Sequence, residues 1–305
     1  MLSSTLASAT SVRAGPGTSY LRRSFRLLGR IPAAWIGVAI VALLLLAALA
    51  GPAVAPQDPY HISAAEKLRP PSPAHWFGTD DLGRDLLSRV LTGARISLAV
   101  SAVVLALAMT LGVGLGLIAG YWGGWVDEAL MRTTDVFLAF PRLVLAIVIA
   151  ATLGAGLSNT VFAIALSWWP WYTRLVRGQI LSLREMEYVQ AAVSLGGGPR
   201  RILLRHLLPN VATTVVIQAS IDIGFAILAT ASLSFIGLGA QPPTPEWGAL
   251  IAQARSYMVD AWWYPTFPGL AIFFAVLGFN LLGNAIRDAF DPKLGAPVSA
   301  PGRRA

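Results

Sequence analysis

Residues 33–50 read AAWIGVAIVALLLLAALA, a stretch without a single charged side chain. An apolar run of this length crosses the hydrocarbon core of a bilayer as one helix, and Gly51-Pro52 predicts its end. Ala53-Val54-Ala55 is similar to a signal-peptide cleavage site. However, Pro56 follows it and about thirty residues precede the run, so a retained membrane anchor is the better interpretation.

The composition also indicates a membrane protein. Of 305 residues, 55% are hydrophobic and 12% are charged, and the formal net charge is +8. The basic residues cluster at the ends of apolar runs, which favours a topology signal over nucleic-acid binding, so we expect no nucleic-acid partner. The chain has no cysteine. Its three histidines, His61, His75 and His206, are far apart, so the sequence predicts no metal site and no cofactor.

Five further apolar runs follow the first one. Residues 154–159 separate the third run from the fourth, and we count these two runs as two spans. This count places the basic residues 174–205 on the same side as the arginine-rich residues 1–31, as the positive-inside rule requires. The predicted fold is therefore an all-α membrane protein with six transmembrane helices and both termini in the cytoplasm. The predicted spans are residues 33–50, 96–119, 136–153, 160–172, 211–236 and 267–286.

Two connections between spans are predicted: a short cytosolic link at residues 123–135 and an outer loop at residues 237–266. Within the second span, Gly112, Gly116 and Gly120 recur every four residues. Such a ridge of small residues lets another helix approach closely. Generic helix packing explains this pattern without a specific function.

A polar hairpin between the fourth and fifth spans carries the functional signal. Residues 184–196 read REMEYVQAAVSLG and are followed by Gly-Gly-Pro. They predict a short helix with an early acid and a glycine stop. Pro199 opens a second helix, residues 200–207, which Pro209 is expected to end. In the cytosol the apolar side chains of this hairpin have no lipid to contact, so we expect a protein partner; they are Leu195, Ile202, Leu203 and Leu207.

The spacing of this hairpin resembles the coupling loop of ABC importer permeases. The matching residues are Gln190-Ala191-Ala192, Gly196 and Leu208-Pro209. Two positions depart from the family pattern, because Gln190 replaces an acid and His206 replaces an aliphatic residue. The resemblance implies that loop 185–210 contacts an ATPase through Glu187, Gln190, Ala191, Ala192, Gly196, His206, Leu208 and Pro209.

Four other stretches resemble the C-type permease of dipeptide, oligopeptide and nickel importers. They read FGTDDLGRD (77–85), DVFLAFP (135–141), LSFIGLG (233–239) and PEWG (245–248). Each has a local interpretation as a turn, helix stop or interfacial anchor, but all occur in the expected order. The resemblance divides the chain into a cytoplasmic tail (1–31), the first span with an outer segment (32–94), a type I ABC core of five helices (95–286) and a second cytoplasmic tail (287–305).

The resemblance further implies a permease that imports di- or oligopeptides across the cytoplasmic membrane of a prokaryote. Its expected partners are a second permease, two ATP-binding cassette domains, an outer substrate-binding protein and membrane lipid. The chain itself is not expected to be an enzyme, because neither Lys67 nor Lys293 lies in a Gly-Lys-Ser/Thr phosphate-binding motif. Nickel chelates or another small solute remain alternative substrates. A secondary transporter is less well supported because no internal repeat is visible.

Three polar residues within the predicted spans are candidates for the translocation path. Asp222 is the one acid deep in a span, and such residues are costly enough to be functional candidates by default. A hydrogen-bonded contact between helices is the alternative role. Asn280 and Asn284 lie one turn apart in the sixth span and face either other helices or the path.

Overall fold

A computed structural model describes residues 32–290, which form an all-α structure and confirm the predicted class for this part of the chain. The predicted tail 1–31 and residues 291–305 lie outside the described residues. Two short 3₁₀ segments, Ala64–Glu66 and Arg255–Tyr257, accompany the helices. The helices are α1 (Pro32–Val54), α2 (Leu86–Trp122), α3 (Gly124–Leu138), α4 (Arg142–Leu153), α5 (Leu157–Leu183), α6 (Glu187–Ser194), α7 (Pro199–Phe235), α8 (Trp247–Ala254) and α9 (Trp263–Phe290).

Within residues 32–290, four helices are each long and apolar enough to cross a membrane: α1, α2, α7 and α9. Helices α3 and α4 together form a fifth candidate, bent by 88° at the short break between them. Pro141 immediately precedes α4. At this position a backbone N–H would have no partner within the helix, so proline costs no hydrogen bond. The described chain therefore has four or five candidate spans, against the six predicted.

Helix α2 starts at Leu86, ten residues before the predicted start of the second span. Asp85 caps the helix by accepting a hydrogen bond from the backbone N–H of Ser88 at 2.8 Å. A capping carboxylate satisfies donors that the first helical turn leaves free. The resulting helix of 37 residues is about 55 Å long, which exceeds the thickness of a bilayer.

The predicted fourth span, residues 160–172, is also too short. Helix α5 continues without a break to Leu183 and carries Arg174 and Arg177. Residues 123–135, predicted as a cytosolic link, form most of helix α3. Asp127 of α3 accepts hydrogen bonds from Arg177 at 2.5 and 2.6 Å, so the paired charges join α3 to α5.

The glycine ridge of α2 packs directly against α5. A Cβ atom added to Gly116 would lie 2.7 Å from the carbonyl oxygen of Thr173, and one added to Gly120 would lie 2.6 Å from Cβ of Ile180. Gly112 meets the carbonyl oxygen of Trp169 in the same way. The close approach predicted from the four-residue spacing is confirmed, and its partner is α5.

The outer segment between α1 and α2 folds onto the starts of α2 and α9. Arg84 donates to the buried carboxylate of Asp80 at 2.6 Å, and the indole N–H of Trp263 donates to the carbonyl oxygen of Thr79 at 3.1 Å. Asp85 also bonds the ring of His75 at 2.9 Å. The FGTDDLGRD motif thus forms the hydrogen-bonded and ion-paired base of this segment.

The predicted outer loop at 237–266 contains helix α8, which Glu246 caps. The two carboxylate oxygens of Glu246 accept from the N–H groups of Gly248 and Ala249, both at 3.0 Å. The hydroxyl of Ser97 on α2 donates to the same carboxylate at 3.2 Å. Glu246 therefore ties the PEWG motif to α2.

We expect Glu246→Gln to lower the free energy of unfolding by about 1–2 kcal/mol, because its amide NH₂ replaces one of the two accepting oxygens of the cap. The measurement is the thermal midpoint of the purified chain in detergent. Glu128→Gln is the matched control, since Glu128 is 68% exposed and pairs only with Arg132 on the surface of α3. Equal midpoints for both variants would contradict the capping role.

Candidate functional site

The hairpin between α5 and α7 begins with helix α6 and turns at glycine. Glu187 lies in the first turn of α6. At its other end, the N–H groups of Gly196 and Gly197 donate to the carbonyl oxygens of Val193 and Ala192, both at 2.9 Å. Gly196 has φ = +76°, in the left-handed region that favours glycine. The chain therefore leaves α6 in a sharp turn, as the glycine stop predicted.

The apolar side chains of the hairpin divide into two groups. Ile202 and Leu207 are buried within the chain, and Leu203 is half-buried, so the prediction that they need a partner is wrong for these three. Leu195 is 88% exposed. The hairpin carries further exposed apolar side chains: Met186, Tyr188, Val193 and Leu204. The hairpin thus packs its buried side chains into the core of the chain and presents the exposed ones as an outer apolar surface.

The second half of the hairpin does not end at Pro209. Residues Ile202–Leu207 form π-helical turns that lead without a break into the rest of α7. The wider π turn accommodates a proline ring that would collide with the carbonyl four residues earlier in a regular helix. The side-chain amide of Asn210 donates to the carbonyl oxygen of His206 at 2.6 Å. The predicted helix end is therefore replaced by a π-helical segment.

The residues predicted to contact an ATPase all lie on this hairpin. Gln190, Ala191 and Gly196 are exposed, and Ala192, His206 and Leu208 are half-buried. The imidazole of His206 lies 6.4 Å from the ring of Tyr188, measured between centroids. A groove with a volume of about 340 Å³ lies between the two arms of the hairpin. The residues that line it include Ala192, Leu195, Gly196, Arg201 and His206.

A second candidate site lies between α4, α5 and α7. It is a cavity of about 410 Å³. The Asp222 carboxylate accepts hydrogen bonds from Tyr172 at 2.7 Å and from Gln218 at 3.0 Å. Arg142 at the start of α4 lines the same cavity, a role that its sequence context did not indicate. The apolar walls come from both the aromatic and the aliphatic residues of the three helices, including Ile164, Trp168, Trp171, Phe225 and Leu228.

The two asparagines are not brought together with Asp222. Asn280 faces α7, where its side-chain nitrogen would lie 3.3 Å from a Cβ added to Gly224. Asn284 is exposed on α9. Neither is among the residues that line the Asp222 cavity. Within residues 32–290, no group of three or more His, Asp or Glu side chains is arranged to hold a metal ion.

The sequence matches two protein families in adjacent regions. Residues 112–296 match the family described as binding-protein-dependent transport system inner membrane component. Residues 19–71 match the N-terminal transmembrane domain of oligopeptide transport permease C. The larger match includes α3 to α9 and the whole hairpin.

Several relatives match most of the chain. The probable D,D-dipeptide transport system permease protein DdpC of Escherichia coli K12 is 47% identical over 260 residues, covering 85% of this chain and 87% of that protein. The dipeptide transport system permease protein DppC of Alkalihalophilus pseudofirmus is 42% identical, covering 90% of each. The glutathione transport system permease protein GsiD of Pectobacterium atrosepticum is 50% identical, covering 73% and 74%.

The fold is also similar to that of a solved transporter. An inward-facing structure of the MetNI methionine ABC transporter matches with a TM-score of 0.52 and 16% identity, covering 66% of this chain and 96% of that one. At this identity the likeness concerns the fold alone. The family matches and the close relatives go further: this chain belongs to the binding-protein-dependent ABC transport permeases, as an inner membrane component of the C-type subunit class.

Proposed function

We propose that this permease imports short peptides, and that the exposed hairpin around α6 couples it to ATP hydrolysis in a partner subunit. The names of its relatives support the substrate class, because they transport a D,D-dipeptide, a dipeptide and glutathione. The observation that carries the coupling role is the outer apolar surface of the hairpin, where Leu195 is 88% exposed.

The proposed topology has six spans with both termini in the cytoplasm. These spans are α1, α2, the bent pair α3–α4, α5, α7 and α9. Helix α5 is long enough to cross the bilayer, and an odd number of crossings before the hairpin would place its arginines outside. We retain the proposed division into residues 1–31, 32–94, 95–286 and 287–305, with coupling loop 185–210 inside the core.

The proposed contact with the ATPase uses the α6 side of the hairpin and its turn. Ala191 offers a small exposed side chain that lets α6 sit deep in a cleft. Gly196 turns the chain away at the end of α6. Glu187 and Gln190 flank this surface, and His206, Leu208 and Pro209 support it from the second arm. Movement of the ATPase pair would then tilt α7, which includes the second arm of the hairpin, and α5, which a short turn joins to the first arm.

The proposed translocation path passes the Asp222 cavity. An ionisable side chain in the middle of a span is costly, which favours a functional role. Asn280 at the contact between α7 and α9 would steady this part of the bundle. Asn284 remains a predicted path residue one turn further along α9.

The complete proposed assembly contains a second permease, two ATP-binding cassette domains and an outer substrate-binding protein in a prokaryotic cytoplasmic membrane. The decisive experiment reconstitutes this assembly in proteoliposomes and measures ATPase stimulation by the binding protein loaded with Ala-Ala or with a nickel chelate. We expect stimulation by Ala-Ala of at least about tenfold over the empty binding protein. Stimulation by the nickel chelate alone would overturn the peptide assignment, and absence of ATPase co-purification would overturn the coupling role.

A further inference from the structure

The Asp222 cavity contains one acidic and one basic side chain, which the proposed topology places in the membrane interior. Asp222 lies 13 residues before Phe235, the end of α7, which corresponds to about 20 Å along the helix axis. Trp168 and Trp171 on the opposite wall lie near the middle of α5. The cavity is therefore placed where a solute halfway across the membrane would be held.

Arg142 is held in position by aromatic rings and not by a carboxylate. The guanidinium carbon lies 5.0 Å from the ring centroid of Trp171 and 6.0 Å from that of Trp168. Within residues 32–290, no acidic side chain forms an ion pair with Arg142. Stacking on an indole leaves the edge of the guanidinium, with its N–H donors, available to a carboxylate.

The hydrogen-bond donors to Asp222 are both neutral groups. Tyr172 and Gln218 each donate one hydrogen bond to it, one to each oxygen, and the side chain is only 5% exposed. A carboxylate oxygen accepts two hydrogen bonds, so each has capacity for another donor. An incoming ammonium group could therefore donate to Asp222 while Tyr172 and Gln218 keep their hydrogen bonds.

The remaining wall of the cavity imposes little selection among side chains. Its aromatic and aliphatic residues, among them Ile164, Phe225 and Leu228, provide contact area without directional hydrogen bonds. A volume of about 410 Å³ falls in the range of pockets that enclose small organic ligands. Such a site would accept solutes with varied side chains and would recognise only their charged groups.

We propose that Asp222 and Arg142 bind the two charged ends of a short peptide, Asp222 the α-ammonium group and Arg142 the α-carboxylate, while the peptide crosses the membrane. This inference rests on the proposed function in peptide import. It adds a specificity determinant within the permease, acting after release from the binding protein. Side-chain tolerance follows from the apolar wall, and the requirement for free ends follows from the two charges.

The test uses the complete importer in proteoliposomes and three probes: Ala-Ala, N-acetyl-Ala-Ala and Ala-Ala amide. Each probe is supplied at a concentration that saturates the binding protein, and every variant receives the same binding protein. The selectivity of the binding protein is therefore the same for every variant and does not affect the comparison between variants. The readouts are two uptake ratios, Ala-Ala to the acetylated probe and Ala-Ala to the amidated probe.

We expect Asp222→Asn to lower the ratio of Ala-Ala to the acetylated probe by about tenfold and leave the other ratio unchanged, since one lost charge pair in a site of this kind changes affinity by that order. Arg142→Gln should produce the converse pattern. Glu128→Gln and Arg132→Gln are the matched controls, because they remove the same charges from an exposed pair on α3. They should leave both ratios unchanged.

Wild-type ratios in both cavity variants, or equal changes of both ratios in both variants, would overturn the inference. If Asp222→Asn does not accumulate in the membrane, the ratios of Arg142→Gln decide the question. Failure of the wild-type importer to take up any probe would instead overturn the proposed function. The two failures are thereby distinguished.

Discussion

Gly116→Val is expected to prevent stable folding of the permease, whereas Gly114→Val on the same helix is expected to be tolerated. A Cβ at residue 116 would lie 2.7 Å from the carbonyl oxygen of Thr173 and 2.7 Å from Cβ of Val176. Both atoms belong to the body of α5, so neither can move aside as the end of a flexible side chain could. A Cβ at Gly114 meets no atom within 4 Å.

The expected loss for Gly116→Val is at least about 3 kcal/mol of unfolding free energy, at the upper end of overpacking penalties because α2 and α5 must separate. Gly114→Val should change stability by less than about 1 kcal/mol, and its effect on the helix backbone is mildly favourable. The measurement combines the amount of each variant in the membrane fraction with its thermal midpoint in detergent. Equal values for the two variants would show that α2 and α5 are not in close contact.

The centres of the helices could be predicted from the sequence better than their ends. The apolar run at 33–50 locates α1 because a span needs only length and hydrophobicity. The start of α2 at Leu86 could not be found in this way, since Asp85 caps it and the outer segment buries its first turns. Helix α3 was missed for a similar reason. Its Asp127 is paired with Arg177, fifty positions away in sequence.

The two candidate sites also differ in how far the sequence alone could predict them. The hairpin was predictable because its glycine turn, small residues and spacing all lie within one short segment. The π-helical turns at Ile202–Leu207 have no such local signal. Asp222 could be found from its position in an apolar run, but its bond to Tyr172 and its neighbour Arg142 depend on how α4, α5 and α7 pack together.

Gly196→Val should uncouple ATP hydrolysis from transport and leave the permease folded in the membrane. A Cβ at Gly196 meets no atom of this chain within 4 Å, and the residue is exposed at the turn after α6. Any steric conflict must therefore arise with the docked ATPase. The positive φ of +76° adds backbone strain of about 1–2 kcal/mol for a residue with a side chain, which would displace the turn.

Gly154→Val is the matched control. Gly154, at the end of α4, has φ = +88° and ψ = 164°, and a Cβ there also meets no atom within 4 Å. Its backbone conformation is even less accessible to valine. Gly154 lies at the opposite end of α5 from the hairpin, so its substitution imposes strain without touching the coupling surface.

We expect Gly196→Val to reduce Ala-Ala uptake by at least about tenfold, equivalent to about 1.4 kcal/mol, and to remove ATPase stimulation by the loaded binding protein. Gly154→Val should retain most of both activities. Because the control carries at least as much backbone strain, a selective defect at residue 196 can only come from its place on the coupling surface. Normal uptake by Gly196→Val, or equal losses in the two variants, would show that the turn after α6 does not transmit the movement of the ATPase.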